Sequence, residues 1–275
     1  MFDLRPVGYV IGLLVTILGF TMVLPMTLDL IEGRGHWTVF FESGVVTILT
    51  GGAIALSCAN GLKQGLTIQQ TFLLTTGVWV ALPLFGALPL MLGVTELSFT
   101  DAFFESMSGL TTTGSTVISG LDDLPQGLLL WRGILQWLGG IGIIVFALAF
   151  LPMLRVGGMQ LFRTEAFDTP EKVLPRAAQL AAGIGGIYIA FTIITAFALW
   201  AADMQPFDAI NHAMTSIATG GFSTRDTSIG AYSPMIHWII FLAMIIGSLP
   251  FVLYIDAVRG QGERERGGLS EAGGC

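Results

Sequence analysis

Charge is what this sequence has least of: only 11% of its 275 residues are Asp, Glu, Lys or Arg, against roughly a quarter in an ordinary soluble domain. Hydrophobic residues make up 53%, a balance that argues against a water-soluble fold. Cysteine is nearly absent. Cys58 lies inside an apolar run and Cys275 at the end of the sequence, so neither a disulfide framework nor a thiolate metal site is indicated. His36, His212 and His237 lack the spacing of metal ligands and read as interfacial or packing residues. No basic cluster marks a nucleic-acid footprint. Paired carboxylates, a histidine cluster or an activated nucleophile on a common face are missing too, which predicts that the protein is not an enzyme and uses no cofactor.

Long apolar runs stand where the charges would be. A helical span needs about 20 apolar residues, because the hydrocarbon core is about 30 Å thick and a helix rises about 1.5 Å per residue. Six stretches qualify, at residues 7–30, 38–60, 69–92, 127–151, 177–201 and 234–255. The first follows a single Arg5, has no small-residue cleavage site and exceeds the about 7–15 residues of a signal core, so it reads as a retained helix. The predicted class is an all-α integral membrane protein of about six transmembrane helices, in contact with lipid, with two re-entrant pore-helix and filter loops.

The cationic residues set the expected orientation, since Lys and Arg are retained on the cytoplasmic side of short loops. A cytoplasmic N-terminus places Arg5, Lys63, Arg155, Arg163, Lys172, Arg176, Arg259, Arg264 and Arg266 inside and leaves Arg34, Arg132 and Arg225 outside. The net charge is −7, and the acids Asp101, Asp122, Asp123, Asp203, Asp208 and Asp226 fall on the outer side, where they would concentrate cations.

Two segments, 98–124 and 204–233, are too apolar for ordinary loops and too short to cross. Each opens with an acid suited to capping a helix, Asp101 or Asp208, followed by helix-compatible residues. A helix that short can reach the membrane midplane but must turn back, and non-helical backbone at that depth survives only where protein or water surrounds it. An internal repeat supports this reading. A shift of 107 residues aligns Asp101 with Asp208, Met107 with Met214, Thr112 with Thr219, Gly114 with Gly221, Trp131 with Trp238 and Gly140 with Gly247. The unit is helix, pore helix, extended loop, helix, and it occurs twice after an N-terminal helix pair.

Both loops are small, polar and glycine-bearing: Ser108-Gly109-Leu110-Thr111-Thr112-Thr113-Gly114-Ser115-Thr116 and Ser216-Ile217-Ala218-Thr219-Gly220-Gly221-Phe222-Ser223-Thr224. A dehydrated alkali cation needs its water replaced by neutral oxygens, which carbonyls and threonine hydroxyls supply without trapping it by full charge. The pore helix aims its partially negative C-terminus at the same place. A single Thr-Gly pair would most simply serve close helix packing. Two copies at equivalent positions, each after a half-length helix, favour a filter.

These loops, together with Gln136-Trp137-Leu138-Gly139-Gly140-Ile141-Gly142, resemble the Trk/Ktr/HKT superfamily, specifically its bacterial Trk-type potassium-uptake membrane subunits, over nearly the whole chain to about Arg259. The resemblance implies four helix–pore-loop–helix repeats around a pseudo-fourfold axis, homodimerisation, a cytosolic nucleotide-binding regulatory subunit and a multi-pass location in the bacterial inner membrane. It implies Gly114 and Gly221 as the filter glycines associated with potassium preference. The expected ion-binding residues are Thr111, Thr112, Thr113, Gly114 and Ser115 in the first loop and Ala218, Thr219, Gly220, Gly221 and Phe222 in the second, with transported K+ as the ligand.

The family carries four repeats and this sequence two, which is half of the ion's expected ligands. The expected organisation is an N-terminal helix pair over 1–66, a first repeat over 67–155, a cytoplasmic linker and second repeat over 156–259, and a disordered tail over 260–275, rich in Gly, Glu and Arg. Two functions stand side by side: a half-length pore-forming potassium transport subunit, and a non-conducting membrane fragment with a structural or assembly role. Potassium against sodium, and channel against coupled transport, both stay open. Arg132 reads as an interfacial anchor, and Glu105 as facing water or a partner because an unpaired charge near the bilayer centre costs about 3 kcal/mol. Pro25 and Pro250 are expected to kink their helices, and the glycines of 139–142 and 183–186 to serve packing.

Overall fold

The computed structural model describes residues 3–33, 35–61, 67–150, 173–251, 253–255 and 257, with backbone alone at 61, 68, 143–150 and 173–180. The expectations for Arg34, Lys63, Arg155, Arg163, Lys172, Arg259, Arg264, Arg266 and the tail fall outside those residues, as does most of the linker. Among the described residues every regular element is a helix and there are no strands.

Helix α1 (Arg5–Thr21) and helix α2 (Val23–Ile31) form one long segment broken at Met22. Pro25 is the cause, because it has no N–H to offer the Thr21 carbonyl one turn back. Helix α3 (Trp37–Cys58) returns against α1 at very close range. A β-carbon on Gly12 would come 2.7 Å from the Gly51 carbonyl oxygen, and one on Gly51 would come 2.7 Å from that of Gly12. Small residues thus let two backbones touch, which is how helices associate where lipid removes the hydrophobic drive.

Helix α4 (Ile68–Gly86) starts at a capping box, in which Thr67 Oγ accepts from the Gln70 amide at 3.2 Å and Gln70 Oε1 accepts from the Thr67 amide at 2.9 Å. Ala87 separates it from the short helix α5 (Leu88–Leu92), in which Pro89 has no N–H to offer the Phe85 carbonyl. Helix α6 (Phe99–Leu110) is followed by the long helix α7 (Gln126–Phe150), helix α8 (Val173–Ala201), helix α9 (Pro206–Ile217) and helix α10 (Pro234–Ser248).

Among the described residues, four segments are long and apolar enough to cross a membrane: Arg5–Ile31, Trp37–Cys58, Gln69–Leu92 and Ala181–Ala201. Each is only 28–33% buried within the protein. Their outer faces carry Ile17, Phe20, Leu49, Phe72, Ile194 and Phe197, all exposed, a surface suited to lipid as solvent. Helix α7 adds a fifth long segment of 25 residues. The sixth expected span is shorter than 234–255: α10 has 15 residues and stops at Leu249, whose ψ of 147° is the extended conformation favoured before Pro250. Pro250 therefore ends this helix and does not merely kink it; helix resumes at Phe251.

Hydrogen bonds gather the helix ends into two layers. Asp29, fully buried, accepts from the Gly127 amide at 2.8 Å and lies 2.9 Å from His36 Nδ1, while His36 Nε2 accepts from the Val94 amide at 3.4 Å. At the opposite end Gln70 Nε2 donates to the Asp3 carbonyl at 2.6 Å. A core of Leu18, Met22, Phe40, Leu90, Leu128, Trp131, Leu135 and Met214 joins the N-terminal helices, α5 and α7 to α9.

Candidate functional site

Helices α6 and α9 both have 12 residues, and their bounds differ by the same 107-residue shift that relates the sequences. At about 1.5 Å per residue each is ~18 Å long, half the depth of a membrane with its headgroups. Their first turns differ from expectation. Asp101 is not the cap but the third helical residue; Ser98 caps α6, its Oγ accepting from the Asp101 amide at 3.2 Å. Asp208 sits at the corresponding place in α9, and its carboxylate instead holds the loop beyond, accepting from Thr224 Oγ1 at 2.7 Å and Tyr232 OH at 2.9 Å.

The two loops leave their helices with the same backbone. Thr112 and Thr219 have φ of 54° and 55°, and Gly114 and Gly221 have φ of 78° and 82°. The Ser108 carbonyl accepts from the amides of Thr113 (2.9 Å) and Gly114 (3.4 Å), and the Thr215 carbonyl accepts from Gly220 (2.9 Å) and Gly221 (3.3 Å). A left-handed conformation at a β-branched threonine is a costly arrangement that persists only where its surroundings fix it. Finding it twice, at equivalent residues, makes the loop geometry a property of the repeat.

Each loop is also tied back to its own helix by one polar side chain at the same position. Glu105 Oε1 accepts from Thr116 Oγ1 at 2.8 Å, and His212 Nε2 lies 3.1 Å from Ser223 Oγ. The shift of 107 relates both members of these pairs. Glu105 Oε2 further accepts from the Val117 amide at 2.9 Å, and His212 Nδ1 donates to the Asp208 carbonyl at 2.8 Å.

The ten expected loop residues are thus brought together, but not on equal terms. Thr111, Thr112, Thr113, Gly114, Ser115, Thr219, Gly220 and Gly221 are partly or fully exposed, while Ala218 and Phe222 are buried against protein. The loops touch: a β-carbon on Gly114 would collide with the Gly220 carbonyl oxygen. A small cavity is lined by Thr112 and Thr219 and by Gly140 and Gly247, two pairs related by the repeat, with Tyr188, Ile217 and Ala218. Gly139 and Gly247 let the long helices press on the half-length ones, since a side chain there would collide with the carbonyls of Leu110 and Ile217.

Arg132 departs most from expectation. Arg132 does not snorkel to an interface; it is 1% exposed and pairs with the wholly buried Glu105 at 2.9 Å. Its Nη2 donates to Thr116 Oγ1 at 3.1 Å, its Nη1 to the Ser223 carbonyl at 3.0 Å, and its guanidinium lies 4.3 Å from the centre of the Phe222 ring. Of the two expectations for Glu105, water or a partner, the fold realises the second, with Arg132 as that partner. Gln136, one turn along α7 from Arg132, accepts from the Phe222 amide at 3.0 Å. The signal for these residues was two opposite charges in otherwise apolar stretches, which is a reason to look for a buried pair.

Beyond the loops, a polar clasp joins the repeats. Arg225 bonds Asp122 at 3.1 Å and Asp208 at 3.3 Å, and Asp226 accepts from the amides of Gly120 and Leu121 at 3.0 and 3.1 Å. The hydrogen bond from Arg225, aided by the Asp226 amide, holds the Asp122 carboxyl below its usual pKa, and the same pairing raises that of Arg225. Arg225 thus offsets part of the charge of Asp122 and Asp208, while Asp226 bonds to neutral amides and keeps its negative charge.

Comparison with known proteins agrees with this architecture. Residues 36–268 match the family model TrkH, cation transport protein. The chain is 44% identical over 257 residues to the Trk system potassium uptake protein TrkI of Halomonas elongata, covering 93% of this chain and 52% of that protein. It is 42% identical over 262 residues to the Trk system potassium uptake protein TrkH of Escherichia coli K12, covering 94% and 54%. The crystal structure of the potassium transporter TrkH from Vibrio parahaemolyticus superposes with a TM-score of 0.83 at 38% identity, over 95% of this chain and 53% of that one. The chain spans about half the length of these relatives. It is a membrane protein, and it belongs to the TrkH family of cation transport proteins.

Proposed function

We propose that this chain supplies two of the ion-coordinating loops of a potassium uptake pathway. The observation that carries the reading is the shared backbone of the loops at Thr112–Gly114 and Thr219–Gly221, each after a 12-residue helix. Neither filter stretch, 111–115 or 218–222, contains a charged side chain. Carbonyl and hydroxyl oxygens at the negative end of a helix suit a dehydrated monovalent cation. The named activities of the relatives point the same way.

In this reading α6 and α9 enter the bilayer as re-entrant pore helices, and K+ passes between the loops with Thr111–Ser115 and Ala218–Phe222 as its ligands. The N-terminus faces the cytoplasm of a bacterial cell, with the chain in the inner membrane. The N-terminal pair and two repeats expected over 1–66, 67–155 and 156–259 form the units of the assembly. The family resemblance adds a homodimer and a cytosolic nucleotide-binding subunit as partners.

The test is rubidium uptake in a bacterium lacking its own potassium uptake, with the chain expressed alone and completed to its relatives' full length. Uptake by the completed form supports the reading. Membrane insertion without uptake by that form favours a structural role.

A further inference from the structure

Helix α7 belongs to the first repeat, yet its polar side chains grip the loop of the second. Gln136 and Arg132 are four residues apart and so share one face of the helix. Gln136 Oε1 accepts from the Phe222 amide at 3.0 Å, and Arg132 Nη1 donates to the Ser223 carbonyl at 3.0 Å. Both contacts fall on the residues just after Gly221.

The consequence for Gly221 follows from peptide geometry. In a planar trans peptide the carbonyl of one residue and the N–H of the next point in opposite directions. With the Phe222 N–H directed at Gln136, the Gly221 carbonyl of the same peptide unit must point away from α7. Gly221 is exposed on that loop, and nothing lies within 4 Å of where its β-carbon would be. Gln136 is fully buried, so water does not compete for this bond. Its side-chain amide also fills the space beside Gly220 where a β-carbon would go. Arg132 secures the Ser223 carbonyl, two residues beyond Gly221, and is itself held by Glu105 at 2.9 Å.

Helix α10 carries no equivalent pair at the corresponding positions. The shift of 107 carries Arg132 to Ile239 and Gln136 to Ala243, neither of which can donate or accept a hydrogen bond through its side chain. We propose that Gln136 and Arg132 are positioning residues that set ion selectivity by aiming the Gly221 carbonyl of the neighbouring repeat. The proposal rests on the potassium pathway described above.

The experiment compares potassium and sodium uptake, per inserted protein, in the chain completed to its relatives' full length. Gln136→Leu removes the acceptor, Gln136→Glu keeps it, and Arg132→Lys keeps the charge but not the planar fork. Losing one orienting hydrogen bond should lower the potassium-to-sodium ratio roughly three- to tenfold in Gln136→Leu and Arg132→Lys. Gln136→Glu should retain more of the ratio than Gln136→Leu. A merely structural role would lower the amount inserted and leave the ratio alone. Should Gln136→Leu fail to insert, Gln136→Met serves as the variant without an acceptor amide. An unchanged ratio in the variants, with a potassium-preferring wild type, overturns the brace alone. A wild type without potassium preference overturns the pathway reading and the brace with it.

Discussion

Glu105 and Arg132, 27 residues apart in sequence, form a 2.9 Å ion pair from which water is shut out. The pair sits behind both loops, since Glu105 holds Thr116 of the first and Arg132 holds Ser223 of the second. Removing one partner of a buried pair leaves the other charge desolvated, at a cost of about 3–5 kcal/mol. Glu105→Gln or Arg132→Met alone should therefore lower the thermal stability of the detergent-purified protein sharply. The double variant should be more stable than the worse single one, because neither charge remains buried. Melting followed by size-exclusion chromatography reads this directly, and additive losses would show that the two residues act separately.

Gly221→Ser should reduce potassium preference in the completed assembly through strain and not through crowding. Space is open around Gly221, but its φ of 82° is a conformation that a residue with a β-carbon adopts only at a cost of about 1–3 kcal/mol. The loop should relax by turning the peptide that carries the Gly221 carbonyl. Competition between rubidium and sodium uptake measures the effect, and a wild-type ratio would remove Gly221 from the selective part of the loop.

The clasp between the repeats should be indifferent to pH in the neutral range. The Asp122 carboxyl has its pKa lowered by Arg225, so its contribution is complete above the ordinary value of 3.8 and is lost as pH falls through the still lower folded value. Hydrogen exchange at the Asp226 amide, which donates to Asp122 Oδ2 at 3.2 Å, should keep its protection factor from about pH 5 to 8. Asp122→Asn should reduce that protection throughout the range. Protection that falls between these limits would mean that another group controls the clasp.

Orientation is accessible to labelling. On a background without Cys58 and Cys275, a cysteine in place of Thr227, exposed beyond the second loop, should react with an impermeant reagent added outside intact cells. One in place of Arg163 should react only after the cells are opened, because the cationic segment is retained inside. The reverse pattern would invert the topology.

The helices and the repeat were legible in the sequence because both rest on local pattern: apolar runs of spanning length, and matched residues such as Thr112 and Thr219 at a fixed shift. The left-handed threonines were not, since their conformation depends on carbonyls of Ser108 and Thr215 that only the folded loop brings into range. Arg132 was misread because a charge at the start of an apolar run looks the same whether it reaches outward to water or inward to a partner. Only the fold brings Glu105 to it. Pro250 was correctly seen as disruptive, but whether a proline bends a helix or ends it depends on the residue before it, and Leu249 is extended.

The reading of the loops at Thr111–Ser115 and Ala218–Phe222 as two parts of a potassium pathway closed by further loops stands or falls on transport. Its most direct measurement is rubidium uptake at limiting potassium in an uptake-deficient bacterium, comparing the 275-residue chain with the chain completed to its relatives' full length. The completed form should take up rubidium and support growth, while the shorter chain, with loop backbone open on one side to lipid, should insert and give little uptake. Absence of uptake by a correctly inserted completed form would contradict the account.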